Sequence, residues 1–288
     1  MNSVNQTLYI PLYGKAYVSQ KSLFLKDEKA EQIWQAKQFP LKGKSKSKWL
    51  AYYMGIRSAV FDDWVRAQLN TDKDAVVIHL GCGMDSRVLR LGDHQPMWYD
   101  VDFPEVITER KRYYAESERY QMLAADVRDI HWVDRISSAK KAIVVMEGVS
   151  MYLTPNELQS VIEGICARFS EVALLMDCYS VLAAKLTKYK NPINDVGVTL
   201  VYGMDDPTML SVKGLNYIQE HDMTPQRYID ELQGMEKWIF RKLYAGKASK
   251  KLYKLFEYGK WSDLTVSNLG VTDSHQDLYM LDGTDYPA

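Results

Sequence analysis

Five short apolar runs, separated by polar and helical stretches, recur between residues 75 and 177 of this 288-residue chain. They are Ala75-Val-Val-Ile-His-Leu80, Met97-Trp-Tyr-Asp-Val-Asp102, Met122-Leu-Ala-Ala-Asp126, Ala142-Ile-Val-Val-Met146 and Val172-Ala-Leu-Leu-Met176. Their length and β-branching favour strand over helix, and a near-continuous apolar run fits a strand buried on both faces. Strands alternating with helices predict an α/β fold with a doubly wound, mostly parallel sheet. The crossovers between such strands are right-handed.

The helices between and before these runs are also readable. Thr154-Pro-Asn-Glu157 forms a capping box with proline at the first helical position. Leu158, Val161, Ile162, Ile165 and Phe169 then fall on one helical face. Phe103-Pro104 opens a polar helix expected to run to about Arg119. Residues 27–38 and 49–69 read as helices, the second from Tyr52, Ile56, Ala59, Val60, Val65 and Leu69. The lysine-rich stretch Lys42 to Lys48 between them reads as a solvated loop. Beyond Asp177, residues 180–190 look helical and Asn191 to Pro207 looks like a loop-rich insertion. Thr224-Pro225 starts another helix, and residues 235–258 are expected to form one or two more. Leu264 to Val266 and Leu278 to Leu281 are candidate late strands at the sheet edge.

Composition excludes several classes. Lys+Arg is 36 and Asp+Glu is 37, without the basic excess of a dedicated nucleic-acid binder. Cys82, Cys166 and Cys178 form neither a C-x-x-C pair nor a zinc set, so buried reduced thiols and no metal are expected. The start, MNSVNQTLYIPLYGK, lacks the basic and apolar regions of a signal peptide, and the apolar runs are too short to cross a bilayer. A cytoplasmic protein with no membrane partner is expected.

Ligands of a doubly wound sheet bind at the carboxyl ends of its strands. Gly81-Cys-Gly83 follows the first strand, and its glycines permit a tight turn and close approach of backbone N–H groups. Ser86 replaces the third glycine of the dinucleotide fingerprint, which disfavours a pyrophosphate there. The second strand ends in Asp100-Val-Asp102, and 19 residues separate Gly83 from Asp102, which suits an acid gripping ribose hydroxyls. Either Asp100 or Asp102 meets that description. The third strand ends at Asp126, with Val127 N–H placed for an adenine edge, and the fourth at Glu147, suited to an amino group. An isolated Asp at a strand end is usually a cap or turn residue. Four such features in order, each on a different strand, outline a site for an adenosine with a cationic tail and no phosphates. S-adenosylmethionine fits that description.

At these residues the chain resembles the leucine carboxyl methyltransferase family. The resemblance rests on VVIHLGCGMDSRVLRL, WYDVDFPEVITERKR, AADVRD and MEGVSMYLTPNEL, and upstream on LYGKAYVSQ and YYMGIRSAVFDDWVR. It is nearer the bacterial and archaeal branch that includes the tetracenomycin polyketide O-methyltransferase. It implies a class I methyltransferase fold that uses S-adenosylmethionine. Arg57 then matches the arginine that holds the cofactor's carboxylate, with Lys15, or else Lys21, assisting. Gly81 and Gly83 match the glycine loop, Asp102 the ribose-binding acid, Asp126 and Val127 the adenine contacts, and Glu147 the acid near the amino group. Met84 and Ser86 depart mildly from the family's usual leucine and threonine.

No linker divides the chain, so a single domain over residues 1–288 is expected. Residues 1–70 form its N-terminal helical cap, 75–177 its cofactor-binding core, and 178–288 a lid insertion with C-terminal helices and edge strands. The acceptor is expected to be a small acidic or phenolic molecule, with a protein C-terminal carboxylate as the alternative. The sequence singles out no catalytic base. His221 and His275 are candidates, and Tyr13, Tyr17, Tyr179 and Tyr202 are candidate pocket residues. A nicotinamide oxidoreductase and a non-catalytic binder are the competing classes. Monomer and dimer both remain open.

Overall fold

The computed structural model describes residues 8–36, 41, 43–91, 96–187 and 200–262. The five apolar runs form β1 (Val76–Leu80), β2 (Met97–Asp102), β3 (Tyr120–Ala124), β4 (Lys141–Met146) and β5 (Glu171–Tyr179). They pair in parallel in the order β3-β2-β1-β4-β5. Two further strands, β6 (Asn216–Glu220) and β7 (Tyr253–Lys260), complete a seven-stranded sheet in the order β3-β2-β1-β4-β5-β7-β6. β7 runs antiparallel to both neighbours. The strand order reverses at β1 and β4, so the crevice of the sheet opens at their carboxyl ends.

Side chains alternate across the sheet and feed two cores. Val77, Ile143, Val145 and Leu175 join one core with the N-terminal helices. Val76, Ile78, Leu80, Val144 and Leu174 join the other, with Leu158, Val161, Ile162 and Ile165. Those last residues lie on the helix Pro155–Arg168, whose capping box forms as its sequence predicts. Thr154 Oγ1 accepts from Glu157 N–H, and the Glu157 carboxylate accepts from Thr154 N–H.

Helix α1 (Tyr9–Gln20) packs across α3 (Lys48–Thr71), with α2 (Glu28–Ala36) beside it. The approach is close: a Cβ on Gly55 would lie 2.7 Å from Val18 Cγ2. The remaining α-helices among the described residues are α4 (Arg87–Arg90), α5 (Pro104–Arg110), α6 (Pro155–Arg168), α7 (Val181–Leu186), α8 (Gln226–Ile229), α9 (Gly234–Leu243) and α10 (Lys247–Lys250). No helix among the described residues is long and apolar enough to cross a membrane.

Two expectations are corrected. The helix from Pro104 ends at Arg110 rather than Arg119, where the chain tightens and Arg112 and Tyr113 N–H bond three residues back, to Glu109 and Arg110 C=O. Residues 235–258 are not wholly helical. Tyr253 onward is β7, whose buried Leu255, Phe256 and Tyr258 pack in the sheet. Among the described residues that edge of the sheet is β6, next to β7, and the candidate strands at 264–266 and 278–281 lie outside the described residues.

Candidate active site

Gly81 turns the chain out of β1 with φ +60°, and a Cβ there would sit 2.3 Å from Val149 Cγ2. Only glycine meets both demands. Gly83, at φ +50°, then donates its N–H to Asp102 Oδ2 at 2.7 Å. Phe103 N–H donates to Asp102 Oδ1, also at 2.7 Å. The glycine loop therefore holds the carboxylate at the end of β2. Burial pushes the Asp102 carboxyl up to about 6, against the pull of these two donors and of Arg110.

Asp102, Gly81 and Gly83 line a cavity of about 970 Å³, as do Lys15, Arg57, Asp126, Val127 and Glu147. All eight residues read from the sequence thus face one cleft, and its size lies at the upper end of the usual range for small-ligand sites. The two open alternatives separate cleanly. Asp100 does not line the cavity; it is fully buried and accepts from Arg110, Tyr120 and Trp98. Lys21 lies beyond the end of α1 against the Tyr17 ring, whereas Lys15 is buried within α1 and pairs with Asp85 at 3.0 Å.

Glu147 sits between two guanidinium groups. Its Oε1 accepts from Arg57 Nε at 3.0 Å, and its Oε2 from Arg87 Nη2 at 2.5 Å. Burial alone would raise this carboxyl, but Arg87 and Arg57 outweigh it and hold it at about 2. Arg57 Nη1 also donates to Asp177 and to the Tyr253 hydroxyl, at 3.1 and 2.8 Å. Its Nη2 makes no hydrogen bond to a described residue and remains for a ligand. A free guanidinium edge suits a carboxylate.

On the far side, Asp126 is chelated by Arg128, whose Nε and Nη2 reach both carboxylate oxygens. That hydrogen bonding draws the Asp126 carboxyl below its ordinary value. Val127 C=O accepts from Trp132 Nε1, and its N–H makes no hydrogen bond to a described residue. An unpaired donor at the rim of a cleft is open to a ligand acceptor.

Several functional neighbours escaped the sequence. Arg87 is fully buried and ties Asp62 of α3 to Glu147, while Arg90 ties Asp62 to Asp27 and Asp85. Arg87 and Arg90 stand three apart after the glycine loop, a spacing that places both on one helical face. His79 on β1 reaches Arg87 with Nε2 at 3.4 Å. Of the tyrosines singled out, Tyr179 lines the cavity; Tyr13, Tyr17 and Tyr202 do not. His221 pairs with Glu257 at 2.6 Å and faces a smaller neighbouring cavity, and His275 lies outside the described residues. Cys82, Cys166 and Cys178 are buried free thiols.

A sheet in the order 3-2-1-4-5-7-6, with β7 antiparallel to its neighbours and acids gathered at the parallel strand ends, defines a class I methyltransferase fold. The chain belongs to the leucine carboxyl methyltransferase family, whose model matches residues 9–166. It is 30% identical over 186 residues to the tetracenomycin polyketide synthesis O-methyltransferase TcmP of Streptomyces glaucescens, spanning 64% of this chain and 69% of that protein. It is 32% identical over 160 residues to the S-adenosyl-L-methionine-dependent methyltransferase dpfgK of Gibberella zeae, spanning 50% of this chain and 53% of that one. A candidate methyltransferase from Thermobifida fusca, known from its crystal structure, shares the fold. Its TM-score is 0.52 at 14% identity, over 86% of this chain and 94% of that one. Family membership displaces the nicotinamide oxidoreductase reading.

Proposed function

We propose that the protein transfers a methyl group from S-adenosylmethionine to an oxygen of a small acidic or phenolic metabolite. The observation that carries this reading is the convergence of Arg57, Lys15, Asp102, Val127 and Glu147 on one cleft. S-adenosylmethionine supplies a methyl group already activated by a sulfonium charge. Asp102 would hold the ribose hydroxyls, and Asp126 with the Val127 N–H the adenine edge. Arg57 and Lys15 would hold the carboxylate, and Glu147 the amino group. In this reading the described residues up to 70 are the cap, those from 75 to 177 the cofactor-binding core, and those from 178 to 262 lid and edge of one domain.

The same cleft continues into an aromatic half walled by Trp49, Tyr53, Tyr152, Tyr179, Tyr244 and Tyr253. Leu186 of α7 and Leu243 of α9 rim it. The chain's task there is to align an acceptor oxygen and exclude water. The cavity's histidine and carboxylates are His79, Asp85, Asp102, Asp126 and Glu147, and three of them are assigned above to the cofactor while Asp85 pairs with Lys15 and His79 contacts Arg87. A hydroxyl acceptor needs such a base; a carboxylate arrives already ionised. The site therefore favours a carboxylate on an apolar body.

Incubation with S-adenosylmethionine and a panel of aromatic carboxylates and phenols tests this. S-adenosylhomocysteine should accumulate with a carboxylate acceptor. Its absence with every small acceptor and with peptide C-termini would leave a non-catalytic binder.

A further inference from the structure

The residue that joins the two halves of the cleft is Tyr253. It lies at the start of β7, beyond the residues that the family model matches. Its hydroxyl accepts from Arg57 Nη1 at 2.8 Å and donates to Asp177 Oδ2. Asp177 is fully buried, and its other oxygen accepts from Gly148 N–H at 2.6 Å. The ring of Tyr253 stacks on Tyr53 with centroids 6.1 Å apart and packs against Tyr179 at 5.0 Å. One side chain therefore touches the arginine of the polar half with its tip and walls the aromatic half with its ring.

We infer that Tyr253 is a positioning residue for Arg57. With the Asp177 carboxylate it fixes the guanidinium so that Nη2 faces the cleft. Building on the cofactor reading above, this sets where the amino-acid end of S-adenosylmethionine is gripped. The physical case is one of donor supply. Nη1 is satisfied by two acceptors and Nε by a third, so the plane of the guanidinium is over-determined. Removing the hydroxyl takes one acceptor from Arg57 and one donor from a buried carboxylate. Asp177 and Arg57 must then re-form their contact without the bridge, and the free edge turns with them. The ring is untouched by such a change, so the aromatic wall stays in place.

The test compares two ligands on purified full-length protein by calorimetry. S-adenosylhomocysteine carries the amino-acid end; 5′-methylthioadenosine lacks it. Tyr253→Phe should weaken S-adenosylhomocysteine about tenfold, the scale of one lost hydrogen bond to a charged group. It should leave 5′-methylthioadenosine within about twofold, a selectivity that general damage to the fold cannot produce. Asp177→Asn should give the same selective loss and serves as the second variant. Equal loss of both ligands, or no loss of either, overturns the inference while wild-type binding keeps the functional reading intact. Failure of the wild type to bind S-adenosylhomocysteine overturns both.

Discussion

Glu147 and Arg87 meet at 2.5 Å across the floor of the cleft, both almost wholly buried. Arg57 closes the other side of the same carboxylate at 3.0 Å. A carboxylate so held is a structural anchor, whatever ligand contact it is proposed to make. It keeps two cations of the site in fixed orientation in a region that water does not screen.

Glu147→Gln should therefore cost stability as well as function. Removing one partner of a buried ion pair leaves the other uncompensated, at about 3–5 kcal/mol. Urea denaturation at neutral pH measures it, and a loss near zero would contradict the arrangement. The sign with pH follows from the folded value of about 2 against the ordinary 4.5. Glu147's contribution is present above 4.5 and is lost as pH falls through that range toward 2.

Asp102 behaves in the opposite sense. Its folded carboxyl titrates at about 6, above the ordinary 3.8. The folded state takes up this proton first, so Asp102's contribution to stability rises as pH falls from 6 toward 4. If Asp102 holds the ribose as proposed, cofactor affinity moves the other way, because the ionised carboxylate is the stronger acceptor for hydroxyl donors. Affinity for S-adenosylhomocysteine should fall about tenfold between pH 7 and pH 5. Asp102→Asn should bind more weakly at pH 7 by roughly 1.5–3 kcal/mol and lose this pH dependence. A wild-type affinity that stays flat over the same range would remove Asp102 from the site.

Gly81→Ala probes the loop. The added methyl meets Val149 at 2.3 Å, and the residue keeps a positive φ. The expected cost is about 1–3 kcal/mol in thermal or urea unfolding, with cofactor affinity reduced as the loop shifts. Unchanged stability would show that the turn tolerates a side chain.

Arg57→Ala should weaken S-adenosylhomocysteine far more than 5′-methylthioadenosine, because only the first has a carboxylate for the free guanidinium edge. Paired titrations by calorimetry read the difference. Equal losses would make Arg57 a structural residue alone.

How far the sequence carries depends on where each signal lives. β1 to β5 were legible because a strand buried on both faces must be apolar along its whole length, as Ala142 to Met146 is. α6 was legible because a capping box is a local device. β7 was not, because its apolar residues are interrupted by Glu257 and its lysines suit a helix equally. Glu257 is tolerated in the sheet because Trp64, Gln219 and His221 all bond to it, and those contacts come from distant segments. β6 was missed for a simpler reason: its residues are exposed throughout, so burial leaves no pattern. The strand-end acids could be read in order, since the fold places them by topology. The choice of Asp102 over Asp100 could not, because it depends on Arg110 and Tyr120 closing over the inner carboxylate. Arg87, Asp62 and Asp177 were likewise invisible, since buried ion pairs between remote elements leave no local spacing.

Electron density from a crystal soaked with S-adenosylhomocysteine addresses the whole scheme at once. The ribose should lie on Asp102, the adenine edge against Asp126 and the Val127 N–H, and the carboxylate on Arg57 and Lys15. Density elsewhere on the molecule, or an adenosine oriented with its base toward Arg57, would contradict the assignment of the cleft.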